Sequence, residues 1–278
     1  MTIGIVGLGL MGGSLGLALR HLDLVDKVVG YDRNPTHREE ALRLGLVDEI
    51  VDWEVLKRCD VIFLAIPVEG IIQALNALTD VPADTTIIDL GSTKARIVEN
   101  IPPAIRRNVV PAHPMTGTEK FGPQAALEGL YEGKIVVLCD IEESGQTQAR
   151  TARTLFEAIG MQVVTMDAKE HDRHAAYISH LPHAISYALA NAVMAQEDAR
   201  SILILAAGGF RDMSRLAKSS PIMWEDIFKQ NSRHLLEAMD RFEEELKTCR
   251  KLVEEGEWQK LNEWMAKGQK LHTIFKER

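Results

Sequence analysis

The chain has 278 residues, of which 46% are hydrophobic and 26% are charged, a balance typical of globular proteins. That length accommodates two modest domains or one large one. The net charge of −8 and the isoelectric point of about 5.6 argue against nucleic acid as a main partner, because phosphate binding needs a clustered basic surface.

The N-terminal segment from residue 3 to residue 19 carries no charge but is broken by six glycines. A strand, a glycine turn and a helix explain those glycines, whereas a secretory signal would need a basic region before the apolar run. No other stretch is long and apolar enough to span a bilayer. We therefore expect no membrane partner.

A dinucleotide-binding fingerprint follows the first predicted strand, Thr2 to Val6. The first glycine of the G-x-G-x-x-G pattern permits a tight turn, the second lets a pyrophosphate approach the backbone, and the third lets the helix pack on the strand. The pyrophosphate would lie at the positive end of the helix dipole. The predicted cofactor-binding residues of the turn are Gly7, Leu8, Gly9, Leu10, Met11 and Gly12.

An acidic residue ends the second predicted strand, Lys27 to Tyr31, twenty residues after Gly12. Asp32 at that position would accept hydrogen bonds from the adenosine ribose hydroxyls, which favours NAD because a 2′-phosphate would meet a carboxylate. Arg33 leaves NADP open, since an arginine there can accept such a phosphate.

Short β-rich segments alternate with helical patterns as far as about Thr165, and this alternation predicts βαβ units and a parallel sheet. The predicted strands are residues 2–6, 27–31, 60–66, 85–90, 109–110 closing at Pro111, 134–139 and 161–165. Ser92 or Thr93 is expected to cap a helix after the strand that ends near Leu90. Beyond Thr165 only helical patterns remain. We predict an α/β plus all-α protein, with a doubly wound Rossmann domain at residues 1–166 and a helical substrate and dimerisation domain at residues 167–278.

Two turn-like segments interrupt the predicted helices. The segment from Gly208 to Arg215 combines glycines with two arginines and is expected to form a flexible, basic connector. Ser220 followed by Pro221 predicts a helix N-terminus. The charged tail keeps apolar positions at helical spacing, so it forms either a solvated amphipathic helix pair or a subunit interface, of which we favour the interface and a homodimer.

Three cysteines are widely spaced and form no C-x-x-C pattern. Cys59, Cys139 and Cys249 therefore fit reduced thiols in a cytoplasmic protein. Cys59 and Cys139 lie next to apolar strand-like runs, so we expect both to be buried and structural.

His113 is the first candidate for chemistry. It lies between Pro111 and Pro114, so it cannot be inside a helix, and it follows a predicted strand where the crevice of a doubly wound sheet opens. An imidazole suits a base that removes a hydroxyl proton while hydride leaves the same carbon. Ser92 is expected to orient that ring by a hydrogen bond. The alternatives are a packing histidine and a plain helix cap.

The helical part adds further polar candidates. His180 and His183 could share a helix face, but no cysteine lies nearby in sequence, so we favour substrate hydrogen bonding over a metal site and expect no metal. Arg215 offers a fork for a substrate carboxylate, with a surface charge as the alternative. Trp224, taken alone, is more often a core residue.

At these residues the chain resembles the prephenate/arogenate dehydrogenase family of tyrosine biosynthesis. The resemblance covers nearly the whole chain and includes Asp-x-Gly-Ser-x-Lys (89–94) and His-Pro-Met-x-Gly-Thr-Glu (113–119). It continues in Ile-Ser-His-Leu-Pro-His (178–183), Gly-Phe-Arg-Asp-x-Ser-Arg (209–215) and Pro-Ile-Met-Trp (221–224).

The resemblance implies oxidative decarboxylation with hydride transfer to NAD, at an active site between a Rossmann domain and a helical dimerisation domain. His113 would bind the ring hydroxyl and take its proton, Ser92 would hold that histidine or hydroxyl, and Arg215 would pair with a substrate carboxylate. The residues implied in the substrate pocket, with His180 added from its position, are His183, Ser179, Glu119, Trp224 and His180. Tyrosine is a candidate inhibitor that would act at the active site or through the dimer.

Alternatives remain at this stage. An arogenate (cyclohexadienyl) dehydrogenase would use the same histidine. A β-hydroxyacid dehydrogenase would need a glycine-framed lysine in its helical domain, and none stands out. A non-catalytic NAD(H)-sensing protein would keep only the dinucleotide fold.

Overall fold

The computed structural model describes residues 1–276, which divide into two compact units. The first unit is Met1–Asn231, and the second begins at Ser232. The first contains the whole sheet and the helices as far as Gln230. The predicted domain boundary at residue 166 falls where strands give way to helices, and it stays a prediction.

Eight strands form a single sheet in the order β3-β2-β1-β4-β5-β6-β7-β8. Every neighbouring pair is parallel except β6 and β7, which are antiparallel. The strands are β1 (Thr2–Val6), β2 (Lys27–Tyr31), β3 (Glu49–Ile50), β4 (Val61–Leu64), β5 (Thr86–Asp89), β6 (Val109–Pro114), β7 (Ile135–Cys139) and β8 (Gln162–Met166).

Six helices accompany the sheet: α1 (Leu10–Leu19), α2 (Pro35–Arg43), α3 (Trp53–Leu56), α4 (Val68–Ala77), α5 (Ala95–Glu99) and α6 (Gln146–Ala158). The helices that follow β8 are α7 (Ala168–Ala175), α8 (Leu181–Met194), α9 (Ala199–Ile204), α10 (Gly208–Ser214), α11 (Pro221–Gln230), α12 (Ser232–Glu254), α13 (Trp258–Gln269) and α14 (Leu271–Lys276). The predicted change from alternating strands and helices to helices alone is confirmed.

Two apolar clusters use alternate side chains of the same strands. On β4, Phe63 belongs to one cluster and Ile62 and Leu64 belong to the other. Successive side chains of a strand point to opposite faces, so both faces of the sheet are covered. This two-sided core holds the strand ends in one row, from which the site is built.

The sheet departs from a purely parallel arrangement at β6. The sequence predicts that this strand ends at Pro111 and that His113 follows it, but β6 extends to Pro114 and His113 pairs with Val137 of β7. Pro111 closes the parallel register with β5, and the next three residues pair with the antiparallel β7 instead. His113 is therefore held by a strand ladder.

Two expectations about local structure are wrong. Neither Ser92 nor Thr93 caps α5, whose first helical residue is Ala95 and whose cap is Lys94 without a side-chain bond. The segment from Gly208 is helical as α10, followed by a 3-10 turn over Arg215–Lys218. Glycine tolerated at the start of a helix explains the second error, because the cost of glycine applies to helix interiors.

A π-helical turn, Ala176–His180, joins α7 to α8. Pro182 lies near the start of α8 and has no N–H for the carbonyl four residues earlier, with which its ring would clash. Widening the turn relieves that clash. Within the turn, the Ser179 carbonyl accepts a hydrogen bond from Nδ1 of His183 at 2.9 Å. Single π turns of this kind often occur at functional sites.

The second unit consists of α12, α13 and α14. Trp264 on α13 donates its indole N–H to Glu245 on α12 at 2.7 Å. Apolar side chains of the tail are largely exposed, among them Leu246, Met265 and Leu271. Over residues 1–276, no helix combines the length and the apolar character needed to cross a membrane.

The cysteines match part of the prediction. Cys59 and Cys139 are buried free thiols, as expected, and Cys249 is half-buried and also free. Burial raises the pKa of the Cys59 thiol to about 11 and that of the Cys139 thiol to about 12. Both therefore stay protonated and act as small apolar groups.

Candidate functional site

The candidate residues meet at the carboxyl edge of the sheet. Pairing aligns five strand residues in one row: Tyr31, Val6, Leu64, Asp89 and Pro111. The glycine turn begins one residue after that row, and Asp32, Ser92 and His113 lie within three residues of it. Ligands of open α/β sheets bind beyond this edge.

The glycine turn has the geometry of a dinucleotide cradle. Gly7 has a φ of +91°, and a Cβ there would lie 2.4 Å from the Ala65 carbonyl oxygen. A Cβ on Gly12 would lie 1.9 Å from the Gly7 carbonyl oxygen, whereas one on Gly9 would meet only the Gly122 nitrogen at 3.9 Å. The backbone at Gly9 is thus open to a ligand, and α1 begins at Leu10 without a side-chain cap. These features fit a pyrophosphate.

Asp32 is positioned by the turn itself. Its Oδ2 accepts the Leu8 N–H at 2.9 Å and its Oδ1 accepts the Asn34 N–H at 2.8 Å. Each oxygen keeps a lone pair, so the carboxylate can still accept ribose hydroxyls. Nδ1 of His37 lies 3.4 Å from Oδ2, and Arg33 is exposed beside it.

His113 makes a contact that the sequence analysis did not anticipate. Its Nδ1 lies 2.8 Å from Nε2 of His171 on α7, with the two rings edge to face. No hydrogen bond joins Ser92 to His113 in residues 1–276, so the predicted orienting contact is replaced by the one from His171. Ser92 is half-buried two residues before Lys94.

Asp172 connects His171 to α5. Its Oδ1 accepts Nδ1–H of His171 at 2.8 Å and the Lys94 N–H at 2.7 Å, and its Oδ2 accepts the Ala95 N–H at 2.9 Å. Burial alone would raise the pKa of Asp172, but these hydrogen bonds outweigh it and hold the pKa below its usual range. Asp172 is therefore an anion that also supplies the cap that α5 lacks.

A buried ion pair lies beneath the site. The Lys94 ammonium bonds Oδ1 of Asp89 and donates to the Ala112 carbonyl at 2.7 Å, and both charged side chains are fully buried. Lys94 thereby holds the peptide next to His113. Burial raises the pKa of Asp89, while Lys94 opposes that shift.

Electrostatics keep His113 neutral. Burial of the ring lowers its pKa well below the usual range, and the neighbouring His171, Lys94 and His180 add to the effect. A neutral imidazole at neutral pH is the state that a general base requires.

His180 is buried, which contradicts its predicted place at the cleft. Its Nδ1 lies 3.1 Å from Nδ2 of Asn231, and that amide also donates to the Asp172 carbonyl at 2.7 Å. Burial lowers the pKa of His180 to about 4, and its Nε2 is buried with no hydrogen-bond partner within residues 1–276. The prediction that His180 and His183 share a substrate-facing side of the helix fails, because His180 contacts Asn231, which is 51 residues away in the sequence.

His183 and Trp224 form a stacked pair. The ring centroids are 3.5 Å apart with an interplanar angle of 23°, and Trp224 is buried. Burial lowers the pKa of His183, the hydrogen bond to the Ser179 carbonyl opposes that shift, and the charge of Arg215 adds to it. His183 in this stacked pair is therefore a neutral imidazole near Arg215.

Arg215 and Glu119 approach each other at the outer side of the site. Arg215 Nη1 lies 3.9 Å from Glu119 Oε2, and their side chains are 57% and 32% exposed. An exposed pair at this distance contributes little stability, so Arg215 is available to another carboxylate. In residues 1–276 no group of three or more histidine, cysteine or acidic side chains could hold a metal ion.

The structure thus assembles most of the predicted residues in the first unit and adds His171, Asp172 and Asn231. His171 and Asp172 belong to a polar run at the start of α7 whose adjacent imidazole and carboxylate were a usable signal. Asn231 follows α11 and gave none, because a single asparagine at a helix end is ordinary.

Comparisons with known proteins identify relatives of both halves. A model described as the prephenate dehydrogenase nucleotide-binding domain matches residues 15–165, and one described as the prephenate dehydrogenase dimerization domain matches residues 167–267. Cyclohexadienyl dehydrogenase of Zymomonas mobilis is 33% identical over 99% of this chain and 96% of that protein. Prephenate dehydrogenase of Bacillus subtilis is 32% identical over 94% of this chain and 72% of that protein.

Solved structures of proteins with these activities are also similar to this chain. Prephenate dehydrogenase from A. aeolicus, in complex with hydroxyphenyl propionate and NAD+, superposes with a TM-score of 0.92 at 31% identity, covering 99% of this chain and 98% of that one. Synechocystis arogenate dehydrogenase gives a TM-score of 0.82 at 29% identity over the full length of both chains.

Proposed function

The chain belongs to the prephenate dehydrogenase family, and from this premise we propose that it converts prephenate to 4-hydroxyphenylpyruvate with His113 as the general base. Its reaction class is NAD-linked oxidative decarboxylation in tyrosine biosynthesis. Arogenate, which would give tyrosine directly, is the alternative substrate of the same chemistry.

The observation that carries the proposal is the state of His113. The ring is held in a strand at the carboxyl edge of the sheet, its pKa is lowered, and its Nδ1 is occupied by His171. Nε2 is therefore the nitrogen left to meet a substrate hydroxyl. Bound NAD supplies the hydride acceptor, and the glycine turn with Asp32 would hold it.

The chain's own residues divide the remaining work. His113 takes the proton of the ring hydroxyl as hydride leaves the same carbon. Loss of CO2 then restores aromaticity, so no separate decarboxylating group is needed. Ser92 lies on the turn after β5, where it would hold the substrate hydroxyl, because it does not hold the histidine.

Arg215 is proposed to bind a carboxylate of the substrate. Arg215→Gln is expected to lower kcat/KM about 10- to 100-fold, mainly through a higher KM, because a charge-assisted fork is lost. Steady-state kinetics with prephenate measure this. Arg173→Gln, an exposed arginine on α7, is the matched control and should behave as wild type. An unchanged KM in Arg215→Gln would contradict the role.

Substrate choice is tested by comparing initial rates of NADH formation with prephenate and with arogenate. We expect prephenate to be oxidised with the higher kcat/KM. Faster turnover of arogenate would keep the chemistry and correct the substrate. No turnover of either, with NAD or NADP, would leave an NAD(H)-sensing protein as the better account.

The helical half is proposed to form a homodimer, supported by the exposed apolar side chains of the tail and by the match to a dimerization domain. We propose residues 1–166 and 167–278 as the functional domains. Three free cysteines suit a cytoplasmic location.

Tyrosine is proposed to inhibit by competing for the active site, and inhibition unaffected by prephenate concentration would count against that.

A further inference from the structure

A chain of three side chains leads from the proposed base into the protein. His113 Nδ1 lies 2.8 Å from His171 Nε2, and His171 Nδ1 lies 2.8 Å from Asp172 Oδ1. His171 and Asp172 are buried, whereas His113 is half-buried at the edge of the sheet. The proposed reaction assigns no role to His171 or Asp172.

Donor and acceptor roles along this chain follow from chemistry. The Asp172 carboxylate accepts hydrogen bonds only, so the proton of His171 is on Nδ1. Nε2 of a neutral His171 then carries a lone pair and accepts Nδ1–H of His113. Nε2 of His113 in turn carries a lone pair. The opposite tautomer of His113 would turn a lone pair toward a lone pair.

Asp172, the last side chain in this hydrogen-bonded series, is held in place by several contacts. Asp172 also accepts the backbone N–H groups of Lys94 and Ala95, and its own carbonyl accepts the Asn231 amide at 2.7 Å. The carboxylate cannot turn away without leaving the first turn of α5 unsatisfied. It therefore holds His171 as a fixed second link.

We infer that His171 and Asp172 are positioning residues for the base: they fix His113 in the tautomer with a free Nε2 lone pair and take up the charge when that nitrogen binds a proton. The inference rests on the proposed function of His113. It adds two residues to which that function assigned no role.

The proton steps balance. The substrate hydroxyl proton passes to Nε2 of His113, and Nδ1–H of His113 passes to Nε2 of His171, whose own Nδ1–H stays bonded to Asp172. The C–H bonding pair leaves with the hydride, and the bonding pair of the departing CO2 completes the aromatic ring. The phenolate oxygen then recovers the proton from His113, and both imidazoles return to their starting state.

The two rings have different neighbours. His171 is hydrogen-bonded to the Asp172 carboxylate, whereas the Lys94 ammonium disfavours a charged His113. The titratable and charged groups that face the chain are Lys94 with Asp89 beneath it, Asp172 on α7, His180 in the π turn and Cys139 on β7.

The test compares two substitutions at His171. His171→Leu removes the acceptor, and we expect kcat to fall about 10- to 100-fold, the worth of one charge-assisted hydrogen bond, with KM nearly unchanged. The acidic limb of the pH profile of kcat/KM should also shift, because the pKa of His113 depends in part on His171. His171→Gln can accept Nδ1–H of His113 through Oε1 and should recover part of kcat.

The matched control is His174→Leu, the same change on the exposed side of the same helix, which should leave kcat, KM and the acidic limb unchanged. A readout independent of turnover is the 15N NMR spectrum of the histidine rings. The His113 signal, identified by its loss in His113→Asn, should report the Nδ1–H tautomer in the wild type and in His171→Gln. It should report a mixture of tautomers in His171→Leu.

The outcomes separate the two claims. Wild-type kcat and pH profile in both His171 variants, or an Nε2–H tautomer of His113 in the wild type, would overturn the inference. If His171→Leu does not fold, the kinetics of His171→Gln and the 15N NMR spectrum of the wild type test the inference. Wild-type turnover in His113→Asn would instead overturn the proposed base, whatever the His171 variants do.

Discussion

His113→Asn is expected to lower kcat for prephenate oxidation by about two to four orders of magnitude, the usual worth of a general base. Asparagine cannot take a proton, and it leaves His171 facing an amide in place of an imidazole. Affinity for NAD should stay near the wild-type value, because the glycine turn and Asp32 belong to other strand ends. Stopped-flow NADH absorbance gives the first quantity and isothermal titration with NAD the second.

His174→Asn is the matched control for this substitution, since His174 is exposed on α7. It should leave both kcat and NAD affinity unchanged. A His113→Asn enzyme within tenfold of the wild-type kcat would remove His113 from the role of base and with it the proposed mechanism.

Two glycines of the cofactor turn are expected to fail in different ways when replaced by alanine. Gly12→Ala would place Cβ 1.9 Å from the Gly7 carbonyl oxygen, so we expect a loss of about 1–3 kcal/mol in the free energy of unfolding. Gly9→Ala meets nothing closer than 3.9 Å, so its stability should be unchanged. Its NAD affinity should fall about tenfold, or ~1.4 kcal/mol, because the methyl group occupies the pyrophosphate side of the backbone.

Urea unfolding and NAD titration of both variants separate the two effects. Gly208→Ala is the control, because a Cβ there meets nothing within 4 Å and the residue lies at the start of α10, away from the glycine turn in sequence. Wild-type stability of Gly12→Ala would contradict the close packing of α1 on the Gly7 carbonyl, and wild-type NAD affinity of Gly9→Ala would show that the turn does not cradle a dinucleotide.

The strands and the cofactor turn could be predicted from the sequence because their signals are local. Short apolar runs bounded by glycine, proline or charge predicted seven of the eight strands to within about two residues of their bounds, apart from the far end of β6. The glycine spacing with Asp32 depends on one strand, one turn and one helix, all within 32 residues. The exception, β3, has two residues and leaves no periodicity to read.

The far end of β6 shows where local reading fails. Pro111 looks like a strand end because proline cannot donate to a ladder, yet the chain continues by pairing with β7 from the other side. Whether the next strand runs parallel or antiparallel is decided by long-range pairing. The consequence for the site is that His113 is held by two strands.

The predictions of what caps α5 and of what orients His113 were wrong for the same reason. Ser92 was the obvious local partner for both roles, but Asp172 and His171, about eighty and sixty residues away in the chain, perform them. A cap or a hydrogen bond needs only proximity in space. The sequence singled out His113 but not the residues behind it.

In the proposed reaction, oxidation and decarboxylation are coupled at one substrate ring. This coupling is tested by incubating the purified protein with NAD and prephenate labelled in the ring carboxylate, and by measuring NADH and labelled CO2 together. We expect one CO2 for each NADH, and no enzyme-dependent CO2 when NAD is omitted. NADH without matching CO2, or enzyme-dependent CO2 without NAD, would contradict it.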